Sequence, residues 1–169
     1  MPEQRIVAWL AIAGCVILAD QATKLAIEHA LALGTSIYVW PVFDLVHVRN
    51  TGAAFSFLAG GSGWQREFFL LVGLAASIWI VWMLARAARS QVMFCVALSL
   101  VLGGALGNVI DRVRLGAVVD FLHFHWGPHS FPAFNIADSA ITCGAALLLF
   151  DAFRQGRKAR TDGSHAATQ

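Results

Sequence analysis

Asp120 and Asp138 are the residues of this sequence best placed to do chemistry. Asp120 sits in Val118-Val119-Asp120-Phe121-Leu122, and Asp138 sits in Phe134-Asn135-Ile136-Ala137-Asp138-Ser139, in a chain with 10 acidic residues among 169. Asn135 is a good helix N-cap, and an acid three residues later favours a helix N-terminus, so Asp138 alone has a plain structural explanation. Asp120 has no such role. Its setting is apolar and strand-like, and a carboxylate desolvated there has its pKa raised. Two carboxylates facing each other hold one proton between them and titrate as a unit. That is the equipment for general acid–base catalysis.

Other polar residues fall where apolar ones are expected. Asp20 and Lys24 are spaced i, i+4 on one helix face, either as a self-satisfied pair or as support for the site. Asn108 and Arg112 have the same spacing, with Asp111 alongside; Arg112 could pair with a carboxylate or bind a lipid phosphate. His123, His125 and His129 raise a metal alternative. In an extended stretch side chains alternate faces, so His123 and His125 point away from Asp120. A metal site built from Asp120 and both histidines is therefore disfavoured, and the expectation is that no metal is held.

The elements that must position these residues follow from composition. The chain is 58% hydrophobic and 13% charged, with mean hydropathy +0.66, whereas soluble domains carry about 25% charged residues. This is the composition of a polytopic membrane protein. Apolar runs at 6–27, 67–85, 92–110 and 136–153 each approach the ~20 residues a span needs. Gly103 and Gly107 give small-xxx-small spacing in the third, a device for close helix packing. The expected organisation is one integral membrane domain, residues 1–155, followed by a flexible tail, 156–169. The loops at 31–65 and 111–135 connect the spans. Residues 36–48 read as short strands limited by Pro41, and 53–65 as an interfacial segment.

Four spans place both termini on one side. Arg5, Arg86, Arg89, Arg154, Arg157, Lys158 and Arg160 then share that side, seven of the 12 basic residues, and the positive-inside rule makes it cytoplasmic. Asp120 and Asp138 lie at the opposite, outer surface.

Several classes are disfavoured. Net charge is +2 and no basic cluster is interleaved with aromatics, which argues against nucleic-acid binding. Cys15, Cys95 and Cys143 all lie in apolar runs and suit packing rather than disulfides or metal. Ile12-Ala13-Gly14-Cys15 looks like a lipoprotein cleavage site, but the apolar run continues beyond the cysteine. An ion- or proton-coupled transporter using intramembrane carboxylates is the alternative function. Transporter sites usually lie at the midplane of internally repeated spans, and this sequence offers neither.

Five motifs carry a resemblance: Asp20-Gln21-Ala22-Thr23-Lys24, Asn50-Thr51-Gly52-Ala53-Ala54-Phe55, the run Gly103-Gly104-Ala105-Leu106-Gly107-Asn108-Val109-Ile110-Asp111-Arg112, Val118-Val119-Asp120-Phe121, and Phe134-Asn135-Ile136-Ala137-Asp138-Ser139. In this order and on these sides of the membrane, the chain resembles bacterial lipoprotein signal peptidase, or signal peptidase II, over nearly its whole length. The resemblance implies four transmembrane helices, a small extracytoplasmic β-cradle and an interfacial helix. It implies a membrane aspartic endopeptidase of the bacterial inner membrane, working without cofactor. Such an enzyme cuts signal peptides from membrane-embedded prolipoproteins before a diacylglyceryl-modified cysteine. Asp120 and Asp138 match the catalytic dyad. Asn50, Asn108, Arg112 and Asn135 match positions that line or support the site, and Asp20 and Lys24 match a supporting pair. Gly52 and the glycines at 60–63 would let segment 53–65 hinge over the substrate. The enzyme is expected to act as a monomer in the bilayer.

Overall fold

The structure is a computed structural model that describes residues 2–52, 64–87 and 90–166, with side chains from residue 5 to residue 157 within those ranges. Among the described residues, four helices are long and apolar enough to cross a membrane. They are α1 (Pro2–Ala30), α2 (Gln65–Arg86), α3 (Val92–Leu115) and α4 (Ile136–Ala166). Four strands gather at one end of the helices: β1 (Ser36–Trp40), β2 (Phe43–Asn50), β3 (Val118–Trp126) and β4 (His129–Ser130), antiparallel and in that order. Pro41 falls in the turn between β1 and β2, where its missing N–H breaks no ladder.

Helix α3 is the hub. It packs against α1, α2 and α4, and more than half of its apolar stretch is buried, against 22% or less in the other three. Their outward residues, such as Val7, Leu18, Leu71, Ile78, Trp79, Leu149 and Phe153, stay exposed, as a surface solvated by lipid requires. The small residues of α3 set its approach to its neighbours. A Cβ on Gly104 would fall on the Ala137 carbonyl of α4, and one on Gly103 would lie 2.6 Å from Val16 Cβ of α1. The reading of these glycines as packing devices holds.

Two boundaries differ most from the sequence expectation. The third span does not end at 110: α3 runs to Leu115, so Asp111 and Arg112 are helical. It stops where Gly116 adopts φ +72° and returns its N–H to Arg112 O at 3.1 Å, a left-handed cap glycine. The run of apolar residues ends earlier because the last turns are polar and find partners inside the protein. At the other end of the molecule, α4 continues as helical backbone to Ala166, through much of the stretch read as a flexible tail. The segment 53–65 falls outside the described residues except for Trp64 and Gln65.

Candidate active site

The site is built where the first turn of α4, the last turns of α3 and the strands β2 and β3 meet. Phe134 sits on the free edge of β3. Its carbonyl accepts from the N–H groups of Phe121 and Leu122 at 3.0 and 2.8 Å, and its own N–H returns to Leu122 O at 3.0 Å. This short ladder carries the next residue, Asn135, alongside Asp120. Asn135 is fully buried and is the N-cap expected from sequence, its Oδ1 accepting the Asp138 N–H at 2.9 Å. With Oδ1 so engaged, Nδ2 is free to donate to Asp120 Oδ1 at 2.7 Å. One asparagine thus bonds the Asp120 carboxylate and the backbone of Asp138.

Each acid has a second amide. Asn50 donates to Asp120 Oδ2 at 3.2 Å, while its Oδ1 accepts the Gly52 N–H at 2.9 Å. Asn108 donates to Asp138 Oδ1 at 2.8 Å. Asp120 is 2% exposed. Burial is the largest influence on it and the charge of Asp138 the next; together they push its pKa from 3.8 up to about 7, against the opposing bonds from Asn50 and Asn135 and the charge of Lys24. A group poised there can hold or release a proton near neutral pH.

Behind the acids lies an ion cluster with no solvent exposure. Lys24 Nζ is 2.8 Å from both Asp20 Oδ2 and Asp111 Oδ2, and 3.0 Å from Asn108 Oδ1. Asp20 Oδ1 accepts from Ala137 N at 2.9 Å, one of the N–H groups that the first turn of a helix leaves unpaired. Asp111 Oδ2 accepts from Val119 N at 3.1 Å, beside Asp120 on β3. Gln21 donates to Asp111 Oδ1 at 2.9 Å and to Gly107 O at 3.2 Å. The Asp20–Lys24 pair is therefore not self-satisfied. It ties α1 to α3, α4 and β3 directly beneath the acids.

Asp111 and Gln21 are the residues that sequence reasoning passed over as site members. The signal was present. One lysine against one aspartate leaves Asp111 as an uncompensated charge at membrane depth, and such a charge must find a partner.

Arg112 donates to Gly52 O at 2.7 Å and lies over the Phe69 ring at 5.0 Å. Its described bonds go to carbonyls rather than to a carboxylate, so it anchors the Asn50–Gly52 turn from α3. Asp20, Lys24, Asn50, Gly52, Asn108, Arg112, Asp120, Asn135 and Asp138 are all brought into one contiguous network. His123 and His125 are not: they turn to Asp44, at 4.0 and 3.2 Å, and His123 also meets Ser130 Oγ at 2.7 Å. Face alternation separates them from Asp120 as expected.

Among the described residues, two cavities that reach Asp138 stand out. One, about 340 Å³, is lined by Phe131, Pro132, Ala133, Phe134, Ser139, Thr142 and Cys143. The other, about 190 Å³, is lined by Asn50, Phe69, Asn108, Arg112, Val118, Ile141 and Thr142. An apolar recess and one with more polar side chains on its walls thus flank a carboxylate whose partner acid is buried behind it.

Fold and site define a class: a polytopic membrane protein with an amide-bracketed carboxylate pair where its helices meet a small sheet. Residues 12–154 match the family described as Signal peptidase (SPase) II. A lipoprotein signal peptidase of Paraburkholderia phymatum is 55% identical over 152 residues, 90% of this chain and 91% of its own. One from Janthinobacterium sp. is 52% identical over 87% and 88% of the two chains. Two bacterial membrane enzymes solved by the in meso method, at 2.3 and 1.9 Å resolution, superpose with TM-scores of 0.79 and 0.74. They are 35% and 36% identical, and the matches cover 88% and 85% of this chain and 89% and 91% of theirs. The chain belongs to the signal peptidase II family, a family of peptidases. Nothing in these matches supports the transporter alternative.

Proposed function

We propose that this protein is an aspartic endopeptidase that removes signal peptides from prolipoproteins, cutting before the diacylglyceryl-modified cysteine. The observation that carries the catalytic type is the double hold of Asn135: Nδ2 on Asp120 and Oδ1 on the Asp138 backbone. It keeps two acids at one place while leaving Asp138 open to two cavities.

In the mechanism, one aspartate is ionised and takes a proton from a water held between the pair. The water oxygen bonds to the scissile carbonyl carbon. The other aspartate, protonated, donates to the carbonyl oxygen as the tetrahedral intermediate forms. When the intermediate collapses, the C–N bond breaks, the amine leaves with the proton the first aspartate took, and a hydroxyl of the intermediate returns its proton to the second aspartate as the carbonyl re-forms. Acid–base help of this kind contributes about 10²–10⁴-fold. Asn50, Asn108 and Asn135 hold the acids in register, and Arg112 fixes the turn at Gly52 and adds positive charge near the site. No metal or cofactor enters the scheme.

Placement supports the substrate. The basic residues Arg5, Arg86, Arg154 and Arg157 lie at the helix ends opposite the sheet, which favours cytoplasmic termini and a site at the outer face of the inner membrane. A signal peptide, itself an apolar helix, reaches that face laterally through lipid. The apolar recess beside Asp138 suits apolar parts of such a substrate. The enzyme works as a monomer.

The reading is tested by incubating the purified protein with a diacylglyceryl-modified precursor and the same precursor unmodified. Cleavage before the modified cysteine, and much slower cleavage of the bare peptide, is expected. Absence of cleavage, or equal rates on both, would remove the proposal.

A further inference from the structure

Strand β2 carries one residue more than the stretch of β3 it pairs with. Leu45 lies opposite Leu122, yet Val48 lies opposite Asp120. Val46 and His47 together therefore answer to Phe121 alone. A bulge of this kind reverses the alternation of side chains beyond it. Residues directly paired in an antiparallel ladder share a face. An unbroken count from Leu45 would put Arg49 on the face of Asp120 and Asn50 on the other. With the extra residue, Val48 and Asn50 share the face of Asp120, and Asn50 Nδ2 reaches Asp120 Oδ2 at 3.2 Å. Arg49 is sent to the opposite face, where Glu28 of α1 lies 4.0 Å away.

The bulge is gripped at His47, which is 4% exposed. Its N–H donates to Thr35 O at 3.0 Å, and its carbonyl accepts from Gly34 N at 2.8 Å. Its Nδ1 lies 2.8 Å from Leu31 O. A carbonyl only accepts, so Nδ1 carries the proton. All three bonds go to the turn between α1 and β1, and none touches the acids.

We propose that His47 is a positioning residue: by pinning the bulge to the end of α1, it selects Asn50 rather than Arg49 as the β2 residue that faces Asp120. The inference deepens the catalytic reading above and rests on it. The choice matters electrostatically. A neutral amide steadies Asp120 yet lets it share a proton with Asp138. A guanidinium at that place, added to Lys24 of α1 and Arg112 of α3, would hold Asp120 ionised.

The test uses the purified full-length protein. His47→Leu removes the side-chain tether and is expected to lower kcat about tenfold, the effect of losing one hydrogen bond to a charged group, with KM unchanged. Asn50→Ala is expected to match it, and the double variant to be no worse than the more impaired single one, because both remove the same bond. His47→Asn, whose amide nitrogen takes the place of Nδ1, is expected to restore kcat. If His47→Leu does not accumulate, His47→Gln, with its amide one methylene further out, replaces it in the cycle. A readout independent of cleavage is the infrared titration of the Asp120 carboxyl, isolated by subtracting the Asp120→Asn spectrum. It is expected to move to higher pH in both single variants. Additive losses, an unmoved titration in His47→Leu, or a His47→Asn as impaired as His47→Leu would each overturn the proposal. If the wild type fails to cut a lipid-modified precursor, the catalytic reading falls, and the titration still decides whether His47 governs Asp120.

Discussion

Lys24 Nζ donates to Asn108 Oδ1 at 3.0 Å, and this contact fixes which way the Asn108 amide faces. An ammonium has only donors, so it must meet the amide oxygen. The amide nitrogen is then turned to Asp138 Oδ1 at 2.8 Å. The buried cation so orients an acid it does not touch. Replacing it by Met is expected to destabilise the protein by about 3–5 kcal/mol, since Asp20 and Asp111 are left buried without a countercharge. Thermal unfolding in detergent measures the loss. Wild-type stability in Lys24→Met would mean that the cluster holds nothing together.

Asp120→Asn and Asp138→Asn each retain size and hydrogen-bonding capacity while abolishing the acid. Each is expected to reduce cleavage by at least about 10²-fold with folding intact, judged by circular dichroism and elution as a single species. Turnover at the wild-type rate in either variant would exclude a two-aspartate mechanism.

The raised pKa of Asp120 has a consequence for stability. With the folded value about 7 against an ordinary 3.8, the folded protein holds a proton that the unfolded chain has released. Its contribution is absent below the unfolded value, turns increasingly unfavourable as pH rises between the two, and is constant above the folded value. The Tm of Asp120→Asn relative to wild type should therefore climb between about pH 4 and about pH 7 and level off above that. A difference that stays flat or shrinks over that interval contradicts the assignment.

Asn135 serves two masters, and two substitutions separate them. Asn135→Ser keeps a side-chain oxygen for the Asp138 N–H but is too short to reach Asp120; Asn135→Ala loses both. The alanine variant should be less stable than the serine variant by about 1 kcal/mol, the usual value of a cap. Both should lose activity to a similar degree, about tenfold or more, because both lose the bond to Asp120. Full activity in Asn135→Ser would show that only the cap matters.

Gly104 governs how closely α3 approaches the first turn of α4, because an added Cβ meets the Ala137 carbonyl. Gly104→Ala should cost about 1–3 kcal/mol through overpacking. It should also lower kcat, since the turn that must move carries Asp138. Substitution at Gly14, whose Cβ position is open, is the control. Equal effects at the two positions would argue against a packing origin.

Much of this protein was legible in one dimension. The four apolar runs, the strand break at Pro41, the cap at Asn135 and the candidate acids all follow from local rules, because helix length, turn chemistry and side-chain alternation are set by neighbours in sequence. The two aspartates could be paired because charges in an apolar chain are few and each needs an explanation. Tertiary structure alone decided the rest. That Lys24 answers to Asp111 as well as Asp20 depends on how α1 crosses α3. That α3 runs on to Leu115 depends on partners for its polar last turns. That Asn50 and not Arg49 faces Asp120 depends on one extra residue in β2, and no count along the strand reveals it. Those choices are made by packing and by hydrogen bonds between residues far apart in the chain. Each is settled only when the chain has closed on itself, because a buried polar group accepts whichever partner the fold brings within reach.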